Sequence, residues 1–154
     1  MGMDAELNTF MGLVDQLIDY TMETDVLDAV KKEMAAKIQT EVYDKVIPKS
    51  YERKKESYGL LDFDQTPHGN LDIHYDGKIK LLTVENVRPD WEPTMERHIG
   101  RNVAKVVESG DGYDWRDVGP RRFHKPTEQA LIASGEIDRI LTKSMETNLG
   151  GWSL

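Results

Sequence analysis

Between Val26 and Val46 an apolar residue returns at every fourth position: Val26, Val30, Met34, Ile38, Val42 and Val46, with Leu27 and Ala35 beside them. Steady spacing of this kind lines one face of a helix with hydrophobic side chains. It predicts one long helix laid across something flat, and a sheet would fit. Thr24 or Asp25 is placed to accept from the free amides at its start, and Pro48 stops it after Ile47. Upstream, Leu7, Phe10, Met11, Val14, Leu17, Ile18 and Thr21 recur at steps of three and four, with Asp15, Gln16 and Asp19 on the outer side. This predicts a first amphipathic helix.

Beyond Pro48 the pattern changes. The stretch "KSYERKKESYGLLDFDQTPHGN" carries proline, glycine and many charges but no helical stripe, and reads as an extended connector with loops. In "NLDIHYDGKIKLLTVENV", Leu71, Ile73 and Tyr75 alternate with polar residues. Asp76-Gly77 supplies a tight turn, and Ile79, Leu81 and Thr83 resume the alternation, so a β-hairpin is predicted. "RPDWEP" interrupts with two prolines, making 88–93 a loop. Met95, Ile99, Val103, Val106 and Val107 form a third helical stripe that Gly110 ends.

Pro126 suits the first turn of a further helix through Ile132. Ser134 is placed to cap a last one, whose stripe is Ile137, Ile140, Leu141 and Met145. The expected architecture is α+β: long amphipathic helices packed on a small antiparallel β-sheet. A single domain spans 1–149, with N-terminal helices over 4–47, connector and hairpin over 49–93, and a helix-loop-helix over 94–149. Residues 150–154 read as a flexible tail.

The 154 residues suit one domain with a modest core. Hydrophobic residues make up only 38% and aromatics 8%, a lean composition that oligomerisation often supports. The absence of cysteine excludes disulfides, thiolate metal sites and cysteine nucleophiles. No segment approaches the roughly 20 apolar residues needed to cross a bilayer, and the N-terminus has no secretory pattern. A soluble, unanchored protein is expected.

The net charge of −8 is uneven. Residues 1–48 hold 4 Lys against 10 Asp and Glu, a net of −6, whereas 49–125 hold 14 of each sign. A protein that neutralises phosphates needs a net basic face, so tight sequence-reading DNA binding is not expected.

The segment "VVESGDGYDWRDVGPRRFH" places acids, aromatic rings and two arginines on one long loop. Asp111, Asp114 and Asp117 are spaced by three, whereas a calcium loop needs oxygens at alternate positions and a Glu at the twelfth. Counting twelve from Asp111 reaches Arg122. Asp and Gly both suit turns, and turn formation with solvation is the favoured reading. Among His68, His74, His98 and His124 no two are spaced i, i+4, and each reads as an exposed or edge residue rather than a ligand. There is no Gly-x-Ser-x-Gly elbow, phosphate-cradling loop or dinucleotide fingerprint. No catalytic, cofactor-binding or metal residue is therefore assigned.

Two patches, "YERKK" at 51–55 and "RRFHK" at 121–125, set basic groups beside a ring, a combination enriched at the centres of protein interfaces. Tyr113, Trp115 and Phe123 lie on a stretch with no stripe of its own and need shelter from this subunit's core or from a neighbour. Tyr51, Arg53, Leu60, Leu61, Tyr113, Trp115, Arg121, Arg122 and Phe123 are accordingly expected at a subunit interface.

These segments resemble the tail-completion (head–tail joining, neck) proteins of long-tailed bacteriophages. The resemblance rests on Tyr51, Arg53, Gly59, Leu60, Leu61 and Asp62, on Val107, Glu108, Gly110, Gly112 and Tyr113, and on Arg122, Phe123, Pro126, Ala130 and Leu131. Lys54 stands where a second arginine is usual, and Arg-Arg-Phe replaces an Arg-Pro-Phe order. The resemblance covers roughly 24–149. It implies a non-catalytic virion protein, made in the host cytoplasm and placed in the neck as a homo-oligomeric, commonly hexameric, ring. The implied partners are a head-closure or connector protein and a tail terminator or tail tube. Genomic DNA would pass through the lumen without sequence-specific binding, and no membrane is involved. Two other classes stay open: a small metal-dependent enzyme using the 111–117 acids with His98 or His124, and a free accessory protein binding a host partner.

Overall fold

The computed structural model describes residues 2–45, 60–61, 63, 71–87, 103–109 and 120–150. Its first feature is a single helical rod. Helix α1 (Gly2–Thr21) runs through a π-helical turn (Met22–Val26) into α2 (Leu27–Ile38) and ends in a second π-helical turn (Gln39–Tyr43). At about 1.5 Å per residue the rod is roughly 60 Å long. The expected break and cap at Thr24 or Asp25 do not occur. Thr21, Val26 and Ile38 all keep right-handed helical φ and ψ, and the Thr24 hydroxyl turns back to the Tyr20 carbonyl at 2.7 Å. Back-bonding of this kind lets a threonine sit inside a helix without capping one.

The π-helical turns account for the fourfold repeat. On an α-helix of 3.6 residues per turn, each step of four overshoots by about 40°, so a stripe with period four drifts off one face. A π-helical turn is wider, closed by bonds between residues five apart, such as the Asp44 amide to the Gln39 carbonyl at 2.9 Å. Placed at both ends of α2, these turns help hold the stripe on one side. Val26, Met34, Ile38 and Val42 are all buried, and Tyr43 joins them. The end expected at Ile47–Pro48, the connector around 49–59, Met95, Ile99 and Gly110 lie outside the described residues.

The hairpin is present, with a different turn. Strands β1 (Leu71–Asp76) and β2 (Leu81–Asn86) pair antiparallel, with Leu71 opposite Asn86 and Asp76 opposite Leu81. The connection is therefore Gly77–Lys80, not a two-residue turn at Asp76-Gly77. Asp76 Oδ1 accepts from the Lys78 amide at 2.9 Å, the self-turning bond that aspartate favours. Ile79 sits on this turn, 67% exposed, instead of in a strand. The longer turn shifts the second strand by one residue. Leu82, Val84 and Asn86 share a face with Leu71, Ile73 and Tyr75, while Leu81 and Thr83 point away. A one-residue slip inverts a strand, and the expected phase for β2 is corrected accordingly.

Helix α3 (Val103–Ser109) buries Ala104 and Val107. Helices α4 (His124–Ser134) and α5 (Glu136–Leu149) return along the rod, α4 against α2 and α5 against α1, so the two layers run antiparallel. They part at Gly135, whose φ of 66° is left-handed. Ser134 does accept from the Glu136 amide, at 3.3 Å, but the residue in the cap position is Gly135. The Thr21 and Ser144 hydroxyls bond at 2.8 Å across the layers.

The fold is α+β. Its core gathers at one end, where Met34, Ile38, Val42 and Tyr43 of the rod meet Leu60, Ala104, Val107 and Phe123, edged by Leu61, Phe63, Leu71, Val84 and Val103.

Candidate functional site

Four elements are tied at this core end by a chain of buried and part-buried polar bonds centred on Glu108. Its Oε1 accepts from the Phe123 amide at 2.9 Å, from the His124 amide at 2.7 Å and from His124 Nδ1 at 2.9 Å. The first two amides open α4 and have no partner within that helix. A carboxylate from α3 thus caps α4, where its charge also meets the positive end of the helix dipole. Burial would push the Glu108 carboxyl up, but the His124 ring and the two amides outweigh it and hold the group at about 2.

The other ring nitrogen of His124 is engaged as well. The Asn86 amide donates to Nε2 at 2.8 Å, which requires an unprotonated Nε2 and places the ring proton on Nδ1. The Asn86 side chain donates in turn to the Leu60 carbonyl at 2.9 Å, and the Leu60 amide donates to the Tyr43 hydroxyl at 3.1 Å. A carboxylate–histidine pair is the arrangement of a general base, but a base needs a nitrogen facing substrate. Here both nitrogens hold the fold together. His124 is half-buried and bridges α3, α4 and β2. The same geometry leaves it no nitrogen for a metal. His68 and His98 fall outside the described residues, and His74 is exposed on β1.

A second polar cluster sits at the hairpin tip. Lys80 Nζ lies 2.6 Å from Asp15 Oδ1 and 2.7 Å from Asp19 Oδ1, and the Tyr75 hydroxyl donates to Asp19 Oδ1 at 2.6 Å. The Lys80 and Tyr75 hydrogen bonds hold the Asp19 carboxyl below its usual value. Desolvation, then the bond to Asp19, push the Tyr75 phenol up to about 12. Between tip and base lies a cleft of about 860 Å³. Met22, Val26, Val30 and Met34 line it along the rod, residues 80–84 on one side, and Leu131, Ile132 and Ile137 on the other.

The residues expected at a subunit interface divide. Phe123 is fully buried, 0% exposed, inside the chain's own core, and Leu60 and Arg121 are buried with it. Arg121 Nη1 donates to the Val42 carbonyl at 3.4 Å, at the carbonyl end of the rod where a cation is favoured. For these three the expected shelter from a neighbouring subunit is corrected: the fold supplies it internally. Leu61 packs at the core's edge and Arg122 is exposed. Tyr51, Arg53, Tyr113 and Trp115, with the acids at 111–117, lie outside the described residues.

The first helix is present as expected, but apolar residues at its start stay exposed. In α1, Met3 is 80% exposed and Met11 56%, with Leu7 and Leu13 also exposed. The cause is length. From the Thr21–Ser144 contact α5 continues only to Leu149, about 8 Å further, so the rod runs on beyond its antiparallel neighbour. No cation occurs between Gly2 and Val30, while Asp4, Glu6, Asp15, Asp19, Glu23, Asp25 and Asp28 do.

Among the described residues no three or more His, Asp or Glu side chains converge as a metal would need, and no helix is long and apolar enough to cross a membrane. What the geometry defines is an α+β protein with an interlocked polar joint at one end and an open helical arm at the other. A family model described as YomN matches residues 5–147, and the chain belongs to that family, which is phage-derived. No curated protein and no solved structure matches it.

Proposed function

We propose that this phage protein is a non-catalytic structural component of the virion neck, a tail-completion protein whose copies form a ring between head connector and tail. The observation that carries the reading is the open arm of α1. Exposed Met3, Leu7 and Met11, spaced by four along α1, form an apolar strip that a lone subunit leaves in water, and exposed apolar strips of this kind mark interaction surfaces. Membership of a phage-derived family supports the same reading, as does a histidine–carboxylate pair committed to the fold rather than to substrate. A hexamer is the favoured stoichiometry. The neighbours would be a head-closure or connector protein above and a tail terminator or tail tube below. The acid-only first part of the rod suits a lumen wall that lets DNA slide past, since basic walls hold phosphates.

Electron microscopy of purified protein mixed with tails tests the proposal. A ring seated on the head-proximal end of the tail is expected. Protein that stays unattached to tails and connectors alike would overturn it. Replacing the exposed Asp4, Glu6, Asp25 and Asp28 by Lys should impair infectivity while leaving assembled particles intact; unchanged infectivity would sink the lumen assignment.

A further inference from the structure

The hairpin is attached to the helical body in an unusual way. Its base is joined by Asn86, whose amide donates to His124 Nε2 and whose side chain donates to the Leu60 carbonyl. Its tip is joined by Lys80 and Tyr75, both bonded to Asp19, with Lys80 also reaching Asp15. Near the base Leu71 and Val84 pack on the edge of the core, but from there to the tip the strands form one wall of the cleft instead of filling it. Ile73, Ile79 and Leu81 stay exposed, and the most extensive packing among the described elements outside the hairpin itself is helix on helix.

The tip carries two further marks. Lys80 has φ of 53°, a left-handed conformation that a lysine adopts at a cost. Asp19 lies so near the turn that a Cβ on Gly77 would come within 3.4 Å of its Oδ1. The backbone is thus bent to bring the ammonium and the turn onto two adjacent acids of α1. Lys80 and Asp15 both retain solvent contact. Ion pairs of that kind are individually weak and screened by salt.

We propose that the β-hairpin is a flap: hinged at Asn86, clasped at its tip by Lys80 and Tyr75 on Asp15 and Asp19, and able to open apart from the helical body. Opening moves residues 80–82, which form one wall of the cleft, away from Met22, Val26, Val30 and Met34 on the rod, and so widens the apolar cleft between them. The clasp sits on the same α1 whose outer half is open, so a change in the position of α1 acts directly on the flap. Local opening of this type draws on the least packed part of a fold.

Hydrogen exchange of the whole chain, read segment by segment, tests the flap. In Lys80→Met, amides of Ile73 to Leu82 should exchange about fivefold faster, as the loss of solvent-exposed ion pairs predicts, while α2 and α4 keep their rates. Asp19→Asn, made on the helix and leaving the turn sequence intact, should give the same pattern more weakly. Raising salt from low to molar concentration should speed the hairpin in the natural protein and have little effect in Lys80→Met. A hydrophobic dye should bind both variants more than the natural protein. If hairpin and helix amides accelerate together, the hairpin is part of one cooperative unit and the flap is excluded. If neither variant nor salt alters hairpin exchange, the tip bonds restrain nothing and the proposal fails.

Discussion

Glu108 and His124 meet twice through one oxygen: Glu108 Oε1 accepts the His124 backbone amide at 2.7 Å and its ring Nδ1 at 2.9 Å. One carboxylate therefore both starts helix α4 and fixes the tautomer that lets the same ring receive Asn86 of β2. Removal of this one group disturbs three elements at once.

The pH dependence follows from the sign of the shift. Glu108 lies at about 2 in the folded chain against an ordinary 4.5, so its charged form is favoured by folding. Its contribution is full above about 4.5 and is lost as pH falls from there towards 2. Allowing for partial solvation, Glu108→Gln should lower stability by about 2 kcal/mol at pH 7. Urea unfolding of both proteins from pH 7 to pH 3 should show the gap closing as acid is added. A gap that stays constant with pH would mean that the charge is immaterial.

Phe123→Ala should act on the monomer. A fully buried ring replaced by a methyl group costs about 3–5 kcal/mol, a loss visible in chemical denaturation at protein concentrations where no self-association occurs. Arg122→Ala, next door but exposed, should change stability by less than about 0.5 kcal/mol. Comparable effects from the two would contradict the burial of the ring.

Gly135 offers a clean conformational test. Nothing lies within 4 Å of a Cβ built there, but its φ is 66°, so Gly135→Ala meets backbone strain and no clash. A loss of about 1 kcal/mol is expected, measured as a lower thermal midpoint with an unchanged spectrum of secondary structure.

The open arm of α1 should matter for association only. Replacing Met3, Leu7 and Met11 together by Gln removes exposed apolar surface and should leave unfolding within about 0.5 kcal/mol of the natural protein. Sedimentation with tails present should show the variant failing to join them. Joining at natural strength would remove the arm as the assembly surface.

Much of the helical content was legible because each helix keeps a stripe in its own residues. Val26, Met34, Ile38 and Val42 are core positions as their spacing indicates, and the half-buried stripe from Ile137 to Met145 faces the rod. The hairpin's first strand was legible for the same reason. Its second strand was not, because the Asp76 side chain turns the chain over four residues and moves every later side chain to the other face. Glu108 as a cap was hidden by distance: fifteen residues separate it from Phe123, so no local capping pattern announces it. Of the two shelters open to Phe123, the chain's own core supplies it, through α2 and α3, which are remote in sequence.

Periodicity, turn formers and charge are local properties, and they sufficed to specify an α+β chain with an acidic start, a long apolar-striped helix and no cysteine chemistry. Which faces close on one another, which acid meets which amide, and where α1 runs past its neighbour depend on contacts between distant segments. Such contacts follow from how helices of unequal length pack, a quantity no single window of residues contains.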